Sequence, residues 1–210
     1  MDAERKFDAF ITHDWGRFKS GEDKEEIINH DRVSRIYHSL SRLELSCWFD
    51  VKELDAVIPD EMCRGIDSST IVLVALTRRY LQKVAGHDMM DNCKKEFLYA
   101  DQRKGGQKMV GIVMEPGLYD TKEWYGPVGM TLGSQLYVDF SDHSIWQLGN
   151  EEQFEAKIKE LHKRIVDRIH SQNEVLVSCA LHPLSSPFSS TTNLTRACSA
   201  PLSTSSAMTP

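Results

Sequence analysis

Little in this chain suits it to an anionic partner. Lys and Arg number 25 against 31 Asp and Glu, for a net charge of -6. Nucleic acid and anionic membrane both demand a dense positive patch, and no stretch supplies one, so neither is expected as a partner. Long apolar runs are missing as well. The central one, Ser69–Leu76, falls far short of the roughly 20 residues that cross a bilayer. The opening Met1–Lys6 run is charged and leads into only a short apolar stretch, which is not the pattern of a secretory leader. Cysteine is sparse: Cys47, Cys63, Cys93, Cys179 and Cys198 are odd in number and scattered, without metal-ligand spacing. That argues against a disulfide framework or a metal site and suits reduced thiols in a cytoplasmic protein. No glycine-rich dinucleotide fingerprint or phosphate loop is present, so no cofactor is expected, and Lys104–Gly106 reads as a turn.

What the chain does have is a hydrophobic centre. Ser69–Leu76 is uncharged, rich in β-branched residues and without polar alternation. A strand of that kind is covered on both faces, as in the middle of a parallel sheet, and its neighbours must supply the covering helices. Phe7–Thr12 reads as a first strand broken near Gly16, and residues 17–30 read as a polar surface loop. Asp31 is a candidate cap for a helix carrying Val33, Ile36, Tyr37, Leu40 and Leu43 at helical spacing. Cys47–Phe49 is a short strand, and Pro59 opens a helix whose apolar face is Met62 and Ile66. After the central strand, Thr77 and Asp91 are candidate caps for two further helices, the second burying Cys93, Phe97 and Ala100. Lys108–Met114 and Leu136–Phe140 are the last strands, separated by a long loop over 115–134. Asn150, with Gln153 three residues on, resembles a capping box for a final helix striped by Phe154, Ile158, Leu161, Ile165 and Ile169.

This order predicts an α/β, flavodoxin-like three-layer sandwich around a mostly parallel five-stranded sheet. The folded part is expected over 1–171. Residues 172–210, rich in Ser, Thr and Pro, read as a disordered tail. Ligands of such sheets bind beyond the carboxyl ends of the strands, which sets His13–Trp15, Asp50–Ile58, Thr77–Tyr80 and the 115–134 loop along one rim.

Three blocks in this order resemble a Toll/interleukin-1 receptor (TIR) domain, over about residues 6–170. Phe7–His13 resembles the first TIR box. Trp48–Leu54, followed by Ile66 and the central strand, resembles the second box and its BB loop. Cys93-Lys94-Lys95-Glu96-Phe97 is similar to the Trp-Cys-x-x-Glu-Leu helix of NAD-consuming members. The His13–Gly16 and Asp91–Cys93 runs are most similar to TIR-type proteins of unicellular eukaryotes. Three positions depart from the family pattern: Asp55 is followed by Ala56 and Val57 without the usual glycine, Asn92 stands where NAD-cleaving members carry Trp, and His13-Asp14-Trp15 replaces basic or aromatic residues. These departures bear on catalysis and leave the fold expectation intact.

The resemblance implies an intracellular signalling domain that self-associates or binds other TIR domains through the loop 51–59. Two functions stay open. In one, NAD is a substrate hydrolysed to nicotinamide and ADP-ribose or a cyclic form, with Glu96 as catalytic carboxylate. His13, Asp14, Trp15, Trp48 and Asn92 are then candidates for holding the dinucleotide. In the other, the domain is a non-catalytic interaction module. A third reading, metal-dependent phosphohydrolase, rests only on His–Asp neighbours such as His13–Asp14 and His87–Asp88.

Overall fold

The computed structural model describes residues 6–19, 26–49 and 59–181. In chain order the elements are β1 (Phe7–Thr12), β2 (Arg17–Lys19), β3 (Glu26–Ile28), α1 (Asn29–Arg42), β4 (Cys47–Trp48), α2 (Pro59–Ser68), β5 (Ser69–Leu76), α3 (Arg78–Ala85), α4 (Asn92–Lys104), β6 (Met109–Val113), α5 (Gly126–Leu132), β7 (Val138–Asp139) and α6 (Glu151–Leu181). Five strands make one sheet in the order β4-β1-β5-β6-β7, and every pairing in it is parallel. The expected flavodoxin-like order is therefore observed, with the uncharged run as the central strand.

Alternation along the strands sorts the core into two halves. Ala9 and Ile11 of β1, with Ile71, Leu73 and Ala75 of β5, face α1 and α6. Phe10, with Val72, Val74 and Leu76, faces α2, α3, α4 and α5. From Ile71 to Leu76 every residue of β5 is fully buried. At about 1.5–3 kcal/mol for each large apolar side chain, this strand anchors the fold. The α6 stripe holds as expected: Phe154, Ile158, Leu161 and Ile165 are buried and Ile169 packs against them.

Local chemistry explains the helix starts. The Thr77 hydroxyl accepts from the Tyr80 N–H at 3.0 Å, and the Asp91 carboxylate accepts from the Lys94 N–H at 3.3 Å, so both expected caps form. Other expectations are corrected. Residues 17–30 are not simply a loop: β2 and β3 pair antiparallel, because Phe18 and Ile27 are apolar enough to be buried on the α1 face. Helix α1 begins at Asn29, and Asp31 lies within its first turn rather than capping it. The 115–134 segment contains α5, and the last strand pairs only at Val138 and Asp139. Asn150 makes no capping box: the Gln153 N–H donates to the Asn150 backbone carbonyl at 3.1 Å, and the Asn150 side-chain amide donates to the Ser144 carbonyl at 2.8 Å. Helix α6 runs to Leu181, so the expected boundary at 171 falls inside a helix, and 182–210 lie outside the described residues. No helix among the described residues is long and apolar enough to cross a membrane.

Just beyond β1, buried Asp14 joins three segments: its own turn, the start of α1 and the start of α3. Its carboxylate accepts from the Thr77 hydroxyl at 2.5 Å and from the Gly16 N–H at 2.7 Å, and Arg79 Nε lies 3.4 Å away. Asn29 donates its side-chain amide to the Asp14 carbonyl at 2.9 Å. Asp14→Ala would strand a buried hydroxyl and an N–H, so it is expected to cost about 3 kcal/mol. Chemical denaturation measures this, and a loss below about 1 kcal/mol would show that water replaces the carboxylate.

Candidate functional site

The strand alternation that sorts the core also sorts the candidate residues. Thr12, the last residue of β1, points to the α4 side, where its hydroxyl donates to Glu96 Oε2 at 2.5 Å. His13, one residue on, points the other way, and its Nε2 shares a proton with His30 Nδ1 of α1 at 2.8 Å. Glu96 and His13 therefore lie on opposite sides of the sheet. The expected rim divides into two places.

The first is a cleft of about 330 Å³ between α2 and α4. Glu96 and Asn92 both line it, four residues apart on one helix face as their spacing predicts. Its other walls are mainly apolar, from Met62, Cys63 and Ile66 of α2 and Leu98 and Tyr99 of α4, with Lys95 as the added cation. Glu96 is half-buried at the edge of the packed face formed by Cys93, Phe97 and Ala100. Trp48 lies on this side of the sheet, but its ring is spent on packing. It stacks on Phe10 with centroids 4.6 Å apart and planes 12° apart. Gly65 passes so close beneath that an added Cβ would sit 2.9 Å from the indole, which explains a glycine inside α2.

The second place is an aromatic column. Trp15 stacks on His30 at 3.7 Å, His30 on Phe49 at 5.2 Å, and Phe49 on Tyr37 at 5.0 Å. His13 closes it from behind. Its imidazole is pushed down to about 3 by burial first, then by the neighbouring His30 and Lys83. A neutral buried histidine of this kind is a packing and hydrogen-bonding element. Nothing in the sequence brought His13 and His30 together, because neither periodicity nor local spacing records a contact between β1 and α1.

Between the two places runs a buried polar seam. Cys93 Sγ meets the His13 carbonyl at 3.5 Å, and Lys83 Nζ lies 3.7 Å from the same sulfur and 3.4 Å from Asp91. Burial first, then the Glu96 charge, pushes the Cys93 thiol up, which fits an inert thiol better than a nucleophile. Cys47, also buried, is pushed up to about 12. Asp14 is committed to the structural contacts described above. The His–Asp neighbours do not converge: among the described residues no group of three or more His, Cys, Asp or Glu could hold a metal ion. The loop 51–59 expected as an interface lies outside the described residues, apart from the backbone of Pro59.

The sign of the histidine effect is fixed by its lowered value. Unfolded His13 takes up a proton near 6.5, whereas native His13 does so only near 3, so stability falls as pH drops from 6.5 towards 3. Between pH 7 and 5 this linkage should remove about 2 kcal/mol from the native chain. Denaturation midpoints at the two pH values should show that loss in the native chain and a smaller one in His13→Gln. Equal losses would rule out His13 as its source.

Comparison with known proteins supplies the last observations. A family model described as TIR domain matches residues 26–162. Among solved structures, a metazoan TIR-STING receptor from C. gigas in complex with 2',3'-cGAMP is similar at 14% identity and a TM-score of 0.47, covering 75% of this chain and 41% of its own. The TIR domain of the Toll-related receptor TRR-2 from Hydra magnipapillata is similar at 13% identity and a TM-score of 0.40, covering 72% of this chain and 98% of its own. This chain thus spans about two fifths of the receptor and nearly all of the isolated domain. No curated protein matches.

Proposed function

We propose that this chain, which belongs to the TIR domain family, cleaves NAD to nicotinamide and ADP-ribose or a cyclic form, with Glu96 as the essential carboxylate. The observation that carries this reading is the position of Glu96. It lines an open, mainly apolar cleft between α2 and α4 and accepts a hydrogen bond from the hydroxyl of Thr12, at the carboxyl end of β1. Clefts of 300–1,000 Å³ are the ordinary size of small-molecule sites, and about 330 Å³ suits the nicotinamide–ribose end of the dinucleotide.

In the proposed reaction the bond between ribose C1′ and the nicotinamide nitrogen breaks. Its electron pair goes to the nitrogen, so that cationic nicotinamide leaves neutral. The ribose becomes oxocarbenium-like, and a carboxylate beside it stabilises that charge where water is partly excluded. Water then adds to C1′ and gives up a proton, or a nucleophile of the same molecule closes a ring. Lys95, beside Glu96 on the cleft, is a natural contact for the pyrophosphate. Asn92 offers an amide for the carboxamide or a ribose hydroxyl. Trp15, His13 and Asp14 are not assigned to the dinucleotide, because the first two belong to the aromatic column and Asp14 to the structural junction.

TIR domains are signalling modules that self-associate or bind other TIR domains. In this reading the loop 51–59 supplies such a contact in the cytoplasm, and assembly completes the site. A second reading, an interaction module without turnover, is favoured by one observation. Tyr99 is the only ring among the described lining residues, since Trp48 is engaged with Phe10 and Asn92 replaces the family's tryptophan.

The experiment is nicotinamide release from NAD by the concentrated full chain with a crowding agent, beside Glu96→Gln. The amide still accepts from Thr12, so the melting temperature should move by less than about 3 °C. Release should fall by at least about 100-fold. A large loss of stability would make Glu96 structural, and no release from a demonstrably assembled wild-type sample would leave the interaction module.

A further inference from the structure

We infer that Thr12 and Tyr80 brace the Glu96 carboxylate, so that both act as positioning residues for the reaction proposed above, on which this inference rests. A glutamate on a helix surface ordinarily samples several rotamers. Glu96 is instead met by a side chain from a different layer. Thr12 ends β1 with 1% of its surface exposed, and its hydroxyl donates to Glu96 Oε2 at 2.5 Å.

Proton bookkeeping gives the brace a direction. A hydroxyl carries one proton and can accept through its lone pairs. With the Thr12 proton committed to the carboxylate, the 3.1 Å contact between Thr12 Oγ1 and the Tyr80 hydroxyl is made by the phenol's proton. The order of donation is therefore Tyr80 to Thr12 to Glu96. Tyr80 is fully buried, and burial first among several causes keeps its phenol well above the ordinary value, so that proton is present throughout the neutral range.

The far end of the brace is itself fixed. The Tyr80 N–H donates to Thr77 Oγ1 at 3.0 Å, and Thr77 is in turn hydrogen-bonded to buried Asp14. The Tyr80 ring packs edge-on to Phe97, the residue after Glu96, with centroids 6.5 Å apart. The donor thus rests on the helix that carries the acceptor. Holding one carboxylate oxygen sets the plane of the group and the direction in which the other oxygen lies. A carboxylate ordered before substrate arrives needs no reorganisation as the ribose becomes cationic, which is where fixed charges act most strongly.

The test uses the full chain with Thr12→Val, Thr12→Ser and Tyr80→Phe. Valine keeps the shape of Thr12 and removes its hydroxyl, whereas serine keeps the hydroxyl. Thr12→Val should lower kcat for nicotinamide release by roughly tenfold or more with KM within about threefold, while Thr12→Ser stays within about threefold of wild type. Three-bond NMR couplings across the Glu96 side chain provide a readout that needs no turnover. They should report one rotamer in wild type and Thr12→Ser and averaging in Thr12→Val. Tyr80→Phe should cause a smaller loosening, and it stands in should Thr12→Val fail to fold. Wild-type kcat in Thr12→Val, or a single Glu96 rotamer in both Thr12→Val and Tyr80→Phe, would overturn the inference. If wild type releases no nicotinamide but the rotamer still loosens in Thr12→Val, the NAD reading fails and the brace stands.

Discussion

A buried carboxylate just past the first strand holds this fold's functional end together. Asp14 is 1% exposed, and an ion so placed is tolerated only where donors replace its water. The donors come from the Gly16 backbone, from Thr77 at the cap of α3, and from Arg79 inside that helix. Asn29 at the start of α1 adds a bond to the Asp14 carbonyl. Each contact fixes where a chain segment leaves the sheet. Because Thr77 also caps the helix carrying Tyr80, the carboxylate's influence reaches Thr12 and, through it, Glu96. The charge is thus neutralised by the structure and at the same time organises it.

The second constraint is the period of two along β1. Thr12, His13 and Asp14 are consecutive, and their side chains go to α4, to α1 and to the start of α3 respectively. A tripeptide that reads on paper as one polar cluster is distributed among three environments with different chemistry. This is why the side chains of His13 and Asp14 do not face a common centre, and why His13 does not meet Glu96. The aromatic column is held by ring stacking between α1, Phe49 just after β4, and the segment after β1.

Fold was legible wherever the deciding physics was local. The unbroken apolar run of β5, the α6 stripe and the Thr77 and Asp91 caps each depend on residues within a turn or a strand of one another. Legibility failed where burial comes from a distant partner. Phe18 and the Ile27–Ile28 pair are the few apolar residues in a charged stretch, and only packing of Phe18 and Ile27 on the α1 face makes a ribbon of them. Helix α5, Gly126-Pro127-Val128-Gly129-Met130-Thr131-Leu132, has a composition that signals a loop. Gly126, at φ 61°, turns the chain there, an added Cβ on it would meet Ala85 at 2.9 Å, and Val128 and Leu132 are buried. Tertiary burial overrides the propensity of its glycines.

The candidate site shows the same division at the scale of single residues. Glu96 and Asn92 could be placed together from helical spacing alone, since i and i+4 share a face. The hydroxyl that meets Glu96 could not, because Thr12 is 84 positions away in sequence. Nor could the fate of Trp48, whose exposure depends on Gly65 admitting α2 against the indole. A stacking ring is useful to a ligand only if its faces are unoccupied, and Phe10 takes one face of this indole while the Gly65 backbone crowds the edge of the pair. The cleft therefore offers a fixed carboxylate, an amide, a cation and one tyrosine ring among its described residues. That set is richer in charge and hydrogen-bonding groups than in stacking surface, because the indole that could have supplied the surface is packed against Phe10.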